Sequence, residues 1–260
     1  MPDSPISRWF FYCPQTPNSI RVFHLLFGIF LLSLASWWIF ASELTGWERV
    51  WPYRETFLKG WLLTLVLSFA SLCLSIFIGL AAALARKASF LPLRSLAAIY
   101  VETVRGMPLL VIILLFYYVV AYQLHLENRF VSSVFILSLF SGAYLAEIFR
   151  AGIESVGQSQ WESARAIGLT RLQTACFVVL PQALRHVLPP LAGQFASLIK
   201  DSSLLSIIAI QEFTLAAEQI NSATFASLES FFPLAIGYLI LTLPMSLICK
   251  MLEKKFRYET

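Results

Sequence analysis

The feature that most constrains this chain is a set of apolar runs, each near the 20 residues a helix needs to cross a hydrocarbon core. Residues 22–42 and 60–85 together contain a single Asp, Glu, Lys, Arg or His, namely His24. A soluble all-helical protein with unusually buried helices is the alternative, and runs this free of charge exclude it. Only 13% of the 260 residues are charged, against about 25% in soluble domains. The sequence therefore reads as an all-α polytopic membrane protein, with spans predicted at roughly 22–42, 60–85, 108–122, 130–150, 188–210 and 231–250. The third is short. Its helix is expected to begin upstream in "LRSLAAIYVETVRG" and to cross the interface at a tilt, with Pro108 at a kink.

Charge then orients the spans. Arg49, Arg54, Lys59 and Arg129 fall on one side, and every other Lys or Arg except Lys200 falls on the opposite side. A basic excess marks the cytoplasmic face, so both termini are expected there. Ser33-Leu34-Ala35 loosely fits a signal-cleavage site. The long, weakly basic lead and the continued apolar run through Trp37–Phe40 favour a retained anchor instead. The four cysteines form no CxxC and the three histidines share no helical spacing, so neither a metal site nor a disulfide framework is predicted.

One stretch breaks the lipid-like pattern: "SQWESARAIGLTRLQTACFVVLP", residues 159–181. Ser159-x-x-Glu162 and Thr170-x-x-Gln173 are both capping-box spacings, and Gly168 between them suits the end of a helix. The pattern predicts a helix from about Gln160, a tight turn at 168–170, and a second helix ending near Leu180 before Pro181. Trp161, Ala164, Arg165 and Gly168 share one face, where small residues allow close approach and a tryptophan can anchor an interface. A plain surface helix and a DNA-reading helix-turn-helix compete with a docking helix. The second helix is too apolar to read a groove, so no nucleic acid is expected.

The run Glu162-Ser163-Ala164-x3-Gly168-x9-Val178-x-Leu180-Pro181 closely resembles the EAA motif of ABC-importer permeases, E-A-A-x3-G-x9-I-x-L-P, with Ser163 and Val178 as mild departures. "YVETVRGMPLL", "YLAEIFRAGIESV", "LPQALRHVLPPLAGQF" and "LIKDSSLLSIIAIQEFT" are similar to the polar-amino-acid uptake branch of that superfamily. The likeness runs from about Phe57 to the end. It implies a five-span permease domain at 56–260, with residues 1–55 adding a cytoplasmic segment and one extra span. It also implies a bacterial cytoplasmic (inner) membrane location, contact with membrane lipid, and coupling to ABC ATPase subunits through Trp161, Glu162, Ala164, Arg165 and Gly168. A second permease subunit, identical or paralogous, and an extracytoplasmic amino-acid-binding protein complete the implied assembly. No G-x-x-x-x-G-K-[ST] loop occurs in this chain. The chain is therefore read as non-catalytic and binds no cofactor, with ATP and Mg used by the partner ATPase.

Lys200 and Asp201 lie within the fifth predicted span, where each charge costs about 2.5–3.5 kcal/mol. Neighbours on a helix diverge by about 100°, so the two are not expected to pair with each other. Asp201 shares a stripe with Gln194 and Ser197, while Lys200 is expected to find Glu102 or Glu147. A buried ion pair that fixes packing and a path lined for a zwitterionic substrate both remain open. Glu102-x-x-Arg105 and Glu147-x-x-Arg150 read first as local pairs at span ends, with Glu102 and Arg105 also kept as path candidates. Residues 211–231, acidic through Glu212, Glu218 and Glu229, would face a binding protein. An ion-coupled transporter using Lys200 and Asp201, or a scaffold recruiting a cytoplasmic protein, are the alternatives.

Overall fold

The structure, a computed structural model, describes residues 26–31, 33–34, 46–126 and 128–256. The chain divides into two compact units, 1–49 and 50–260. Within the first, residues 26–31, 33–34 and 47–49 are helical. Most of the predicted first span, and with it the anchor reading, lies outside the described residues.

The second unit is helical throughout, with no strand among its described residues. Its helices are α1 (Arg54–Ala85), α2 (Leu91–Gly106), α3 (Leu109–Leu115), α4 (Arg129–Glu154), α5 (Gln158–Ala166), α6 (Leu180–Asp201), α7 (Phe213–Thr224) and α8 (Ser227–Phe256). Four helical stretches have the length and apolarity of a membrane span: Trp47–Ala85, Arg129–Glu154, Arg171–Ile208 and Ser227–Phe256. Leu91–Gly106 with Leu109–Ala121 makes a fifth, as a pair bent by 114°.

The kink expected at Pro108 is there, but it is sharp enough to break the third span into two helices. Met107, placed before Pro108, is driven out of the α region and adopts φ −105, ψ 145. Pro108 then serves as the N-cap of α3. Pro181 was likewise expected to end a helix, yet it lies inside the continuous helical stretch Arg171–Ile208, at the second residue of α6. The preceding π segment Thr174–Val179 joins the hairpin to α6, and the side chain of Gln182 donates to the carbonyl of Val178 at 3.0 Å.

The central packing is α1 against α4. Along α1, Gly60, Thr64, Ser68, Ser71, Ser75 and Gly79 recur at three- and four-residue intervals and are all buried. Facing them, α4 buries Ser138, Ser141, Gly142, Ala143 and Ala146. Small residues let backbones approach where lipid gives no hydrophobic drive between helices. At Gly79 a Cβ would stand 2.7 Å from Leu145 Cβ and 2.9 Å from the Gly142 carbonyl, so only glycine fits. Ser138 Oγ adds a bond across the seam to the Ser71 carbonyl, 3.2 Å. The other side of α1 presents Leu58, Leu62, Phe69, Phe77 and Leu84 outward, as a lipid-facing helix should.

At the end of the bundle reached by the C-terminus of α6, Glu212 caps α7. Its carboxylate accepts from the amides of Thr214 and Leu215, both at 2.8 Å, and from the Tyr238 hydroxyl at 3.1 Å. Thr64 Oγ1 donates to it at 3.5 Å and accepts from the Phe213 amide at 3.1 Å. The network ties α7 to α1 and α8. Glu229 is buried as well, so of the three acids expected to face outward in this loop only Glu218 does.

Burial pushes the Glu212 carboxyl above its usual range, against the pull of the Thr214 and Leu215 amides. The folded chain thus holds this proton more tightly than the unfolded chain. The stabilisation is complete below the ordinary carboxylate value and is lost as pH rises through the raised one. Glu212→Gln, neutral at every pH, should lack this slope. Melting in detergent from about pH 4 to 8 should show the variant gaining on the parent as pH rises; parallel curves would contradict this.

Candidate functional site

The polar stretch forms a short helix, a turn and a capped restart. Gly157 is the N-cap of α5, two residues before the capping box expected at Ser159. Ser159 therefore lies inside the helix, and Glu162 accepts from Gln158 Nε2 at 2.8 Å instead. The helix ends as the sequence predicts. Gly168 has φ +83, the Gly168 amide reaches the Arg165 carbonyl at 3.0 Å, and the Leu169 amide reaches that of Ala164 at 3.1 Å. These two bonds are a Schellman closure, which needs a left-handed residue. Thr170 then opens the next segment with a full capping box: Gln173 N to Thr170 Oγ1 at 3.3 Å and Thr170 N to Gln173 Oε1 at 2.9 Å.

The face predicted for docking divides in two. Trp161 packs half-buried on Val156, Val179 and Ala183, and Ala164 is 3% exposed. Both hold α5 onto its own chain, helped by Gln182 Nε2 to Gln160 Oε1 at 3.4 Å. Glu162, Arg165 and Gly168 stay exposed, and a Cβ at Gly168 would meet nothing within 4 Å. Beside them Ile167, Leu172 and Phe177 are each about three-quarters exposed. Sequence reasoning passed over these three, although apolar side chains in an otherwise polar stretch were the available signal.

Next to the hairpin a charge network joins three helix ends. Glu147 of α4 pairs with Arg86 just after α1, with Arg150 at 2.7 Å, and at 4.0 Å with Arg105 of α2. Arg150 also reaches Glu154 at 2.5 Å, and Lys87 lies 3.8 Å from Glu154. Arg105 stacks 5.4 Å over the Tyr144 ring. Of the two local pairs expected, Glu147–Arg150 forms, whereas Arg105 leaves Glu102 for Glu147. Glu102 is exposed.

The path candidates on α6 are not gathered into one cluster. Gln194 Nε2 bonds Ser141 Oγ on α4 at 3.3 Å, and Ser197 is half-buried. Asp201 is the last residue of α6, half-buried, where the helix tightens into the 3₁₀ segment Ser202–Ile208. Lys200 is exposed, and among the described residues it forms no ion pair; Glu147, an expected partner, is occupied by arginines.

A bent-span helical bundle carrying a capped polar hairpin at one end defines a class, and comparison with known proteins identifies it. The profile of a family described as "Binding-protein-dependent transport system inner membrane component" matches residues 75–258. A probable glutamine ABC transporter permease of Bacillus subtilis is 36% identical over 199 residues, 76% of this chain and 92% of that protein. The glutamine transport system permease of Escherichia coli is 34% identical over 213 residues, 81% of this chain and 97% of that protein. The crystal structure of an amino acid ABC transporter superposes with a TM-score of 0.75 at 33% identity, over 82% of this chain and 100% of that one. An inward-facing methionine ABC transporter shares the fold, with a TM-score of 0.68 at 15% identity. The chain belongs to the ABC-importer permeases, in the polar amino acid family, and is a multi-pass protein of the bacterial inner membrane.

The charge network gives a graded prediction. Glu147 and Arg86 are only about one-fifth exposed, so Glu147→Ala strands cations and should destabilise by roughly 3 kcal/mol. Glu154 is about half exposed, and Glu154→Ala should cost about 1 kcal/mol or less. Thermal unfolding of both variants in lipid nanodiscs checks the order; equal losses would contradict it.

Proposed function

We propose that this chain forms the translocation path of an ATP-driven importer of polar amino acids and takes its drive through the 158–177 hairpin. The observation that carries the reading is the hairpin itself. It combines the EAA-like run, a left-handed Gly168, a capped restart at Thr170 and an exposed apolar flank of Ile167, Leu172 and Phe177. Such a flank on a polar segment fits a protein partner. ABC ATPase subunits are that partner, and ATP and Mg are bound there; hydrolysis takes place in the ATPase and not in this chain.

Closure of the ATPases would press on Glu162, Arg165 and the apolar flank. Because Trp161 is packed on Val179 and Ala183 and Ala164 is buried, α5 would carry the start of α6 with it. The Glu147 network would pass the same displacement to α1 and α2. A packed bundle switches between discrete arrangements and does not bend continuously, which suits alternating access. We place the permease domain at 56–260 and the termini on the cytoplasmic side, following the division of basic residues.

An exposed Lys200 beside a half-buried Asp201 is costly against lipid. A second permease subunit, identical or paralogous, covering this face would remove the cost and enclose a path bearing both charge signs. A zwitterionic amino acid presents the complementary pair. The names of the glutamine permeases support a neutral polar amino acid as the cargo class, delivered by an extracytoplasmic binding protein.

The test is co-purification followed by amino-acid-stimulated ATP hydrolysis in nanodiscs. Gly168→Val forces a β-branched residue into a left-handed turn, at a cost of about 1–2 kcal/mol or more, and should weaken ATPase association and uptake while leaving membrane insertion intact. Lys200→Met and Asp201→Asn should keep the ATPase bound yet lower amino-acid-dependent turnover at least about tenfold. Normal uptake in all three variants would sink the proposal.

A further inference from the structure

The start of α6 and the end of α8 line an open cavity of about 720 Å³ that the transport reading leaves unused. Arg185 and His186 line it from α6, and Lys250, Glu253, Lys254 and Phe256 from α8. The volume is that of a small-molecule site. Lys250 and Lys254, four residues apart, share one helix face, and among the described residues neither forms an ion pair. The carboxyl of Glu253 accepts from Cys249 Sγ at 3.5 Å, so the cations outnumber the one acid. The cavity lies at the hairpin end of the bundle, since Arg185 follows by three residues the Gln182 that bonds Gln160.

Beneath this basic crown the surface is apolar. Pro189 and Pro190 line the cavity one turn deeper than Arg185, and Leu247, three residues toward the membrane from Lys250, is exposed. Cations set directly above an apolar wall, at the end of a membrane-spanning helix, match a molecule with an anionic head and hydrocarbon tails. A soluble phosphate or nucleotide would use the cations and leave the wall wet. An acidic segment of a protein partner would do the same.

We propose that this cavity binds the phosphodiester headgroup of an anionic phospholipid, with its acyl chains laid along Pro190 and Leu247. Lysines near a membrane surface each raise affinity for anionic lipid about fivefold. The site rests on the membrane placement of α6 and α8 and not on the coupling role of the hairpin. Lipid retention and transport can therefore fail independently.

The experiment is native mass spectrometry of the full chain, purified and exchanged into mixed micelles containing phosphatidylglycerol and phosphatidylcholine. Wild type should retain phosphatidylglycerol in preference, and the double variant K250Q/K254Q should lower that retention roughly thirtyfold. K250R/K254R should restore it, and Lys59→Gln, at the opposite end of the bundle, should leave it unchanged. Equal retention of the two lipids by wild type overturns the proposal. So does undiminished phosphatidylglycerol on a folded K250Q/K254Q. Displacement of the lipid by inorganic phosphate would also overturn it, marking a soluble-anion site, as would loss of the lipid preference whenever the ATPase is bound, marking a protein interface. If K250Q/K254Q is not recovered folded, the lipid preference of wild type decides alone.

Discussion

The close approach of α1 to α4 is the constraint on which the rest depends. In hydrocarbon, apolar side chains gain nothing by leaving lipid for one another, so helices hold together through close packing and hydrogen bonds. Gly79 lies against Leu145 and the Gly142 carbonyl, and Ser138 reaches across to Ser71. That seam fixes the helix from which Glu147 projects and the one that Arg86 directly follows. A wider seam would separate them and leave partly buried charges unpaired.

Among the described residues the networks built on charged side chains are concentrated at the two ends. At one, Glu212 joins α7 to α1 and α8 through buried hydrogen bonds. At the other, the Glu147 network binds the ends of α1, α2 and α4 beside the hairpin. The second arrangement suits transmission. A push on α5 meets Trp161 packed on Val179 and Ala183 and the Gln160–Gln182 bond, which lead directly to the start of α6.

Much of this was legible in the sequence, and the misses have identifiable causes. Gly168 and Thr170–Gln173 were readable because their geometry is set within five residues. Ser159-x-x-Glu162 has the same spacing but lost the N-cap to Gly157, which follows closely on the end of α4 at Glu154. Proline signals both the stop and the start of a helix. Pro181 was read as a stop, and only the π segment before it shows that the helical path continues. Whether Arg105 or Lys200 meets a carboxylate depended on which helices lie side by side, and spacing along one helix carries no such information. Trp161 and Ala164 were correctly placed on one face, but the sequence could not say that the face turns inward.

The central claim is that the hairpin is where a separate ATPase delivers work. Hydrogen–deuterium exchange on the purified chain, alone and with its co-purified ATPase, tests it most directly. The account predicts that binding slows exchange within residues 158–177, centred on Arg165 to Leu172, with little change at the Glu212 end. Protection elsewhere with an unchanged hairpin, or no protection at all in a stable complex, would contradict it.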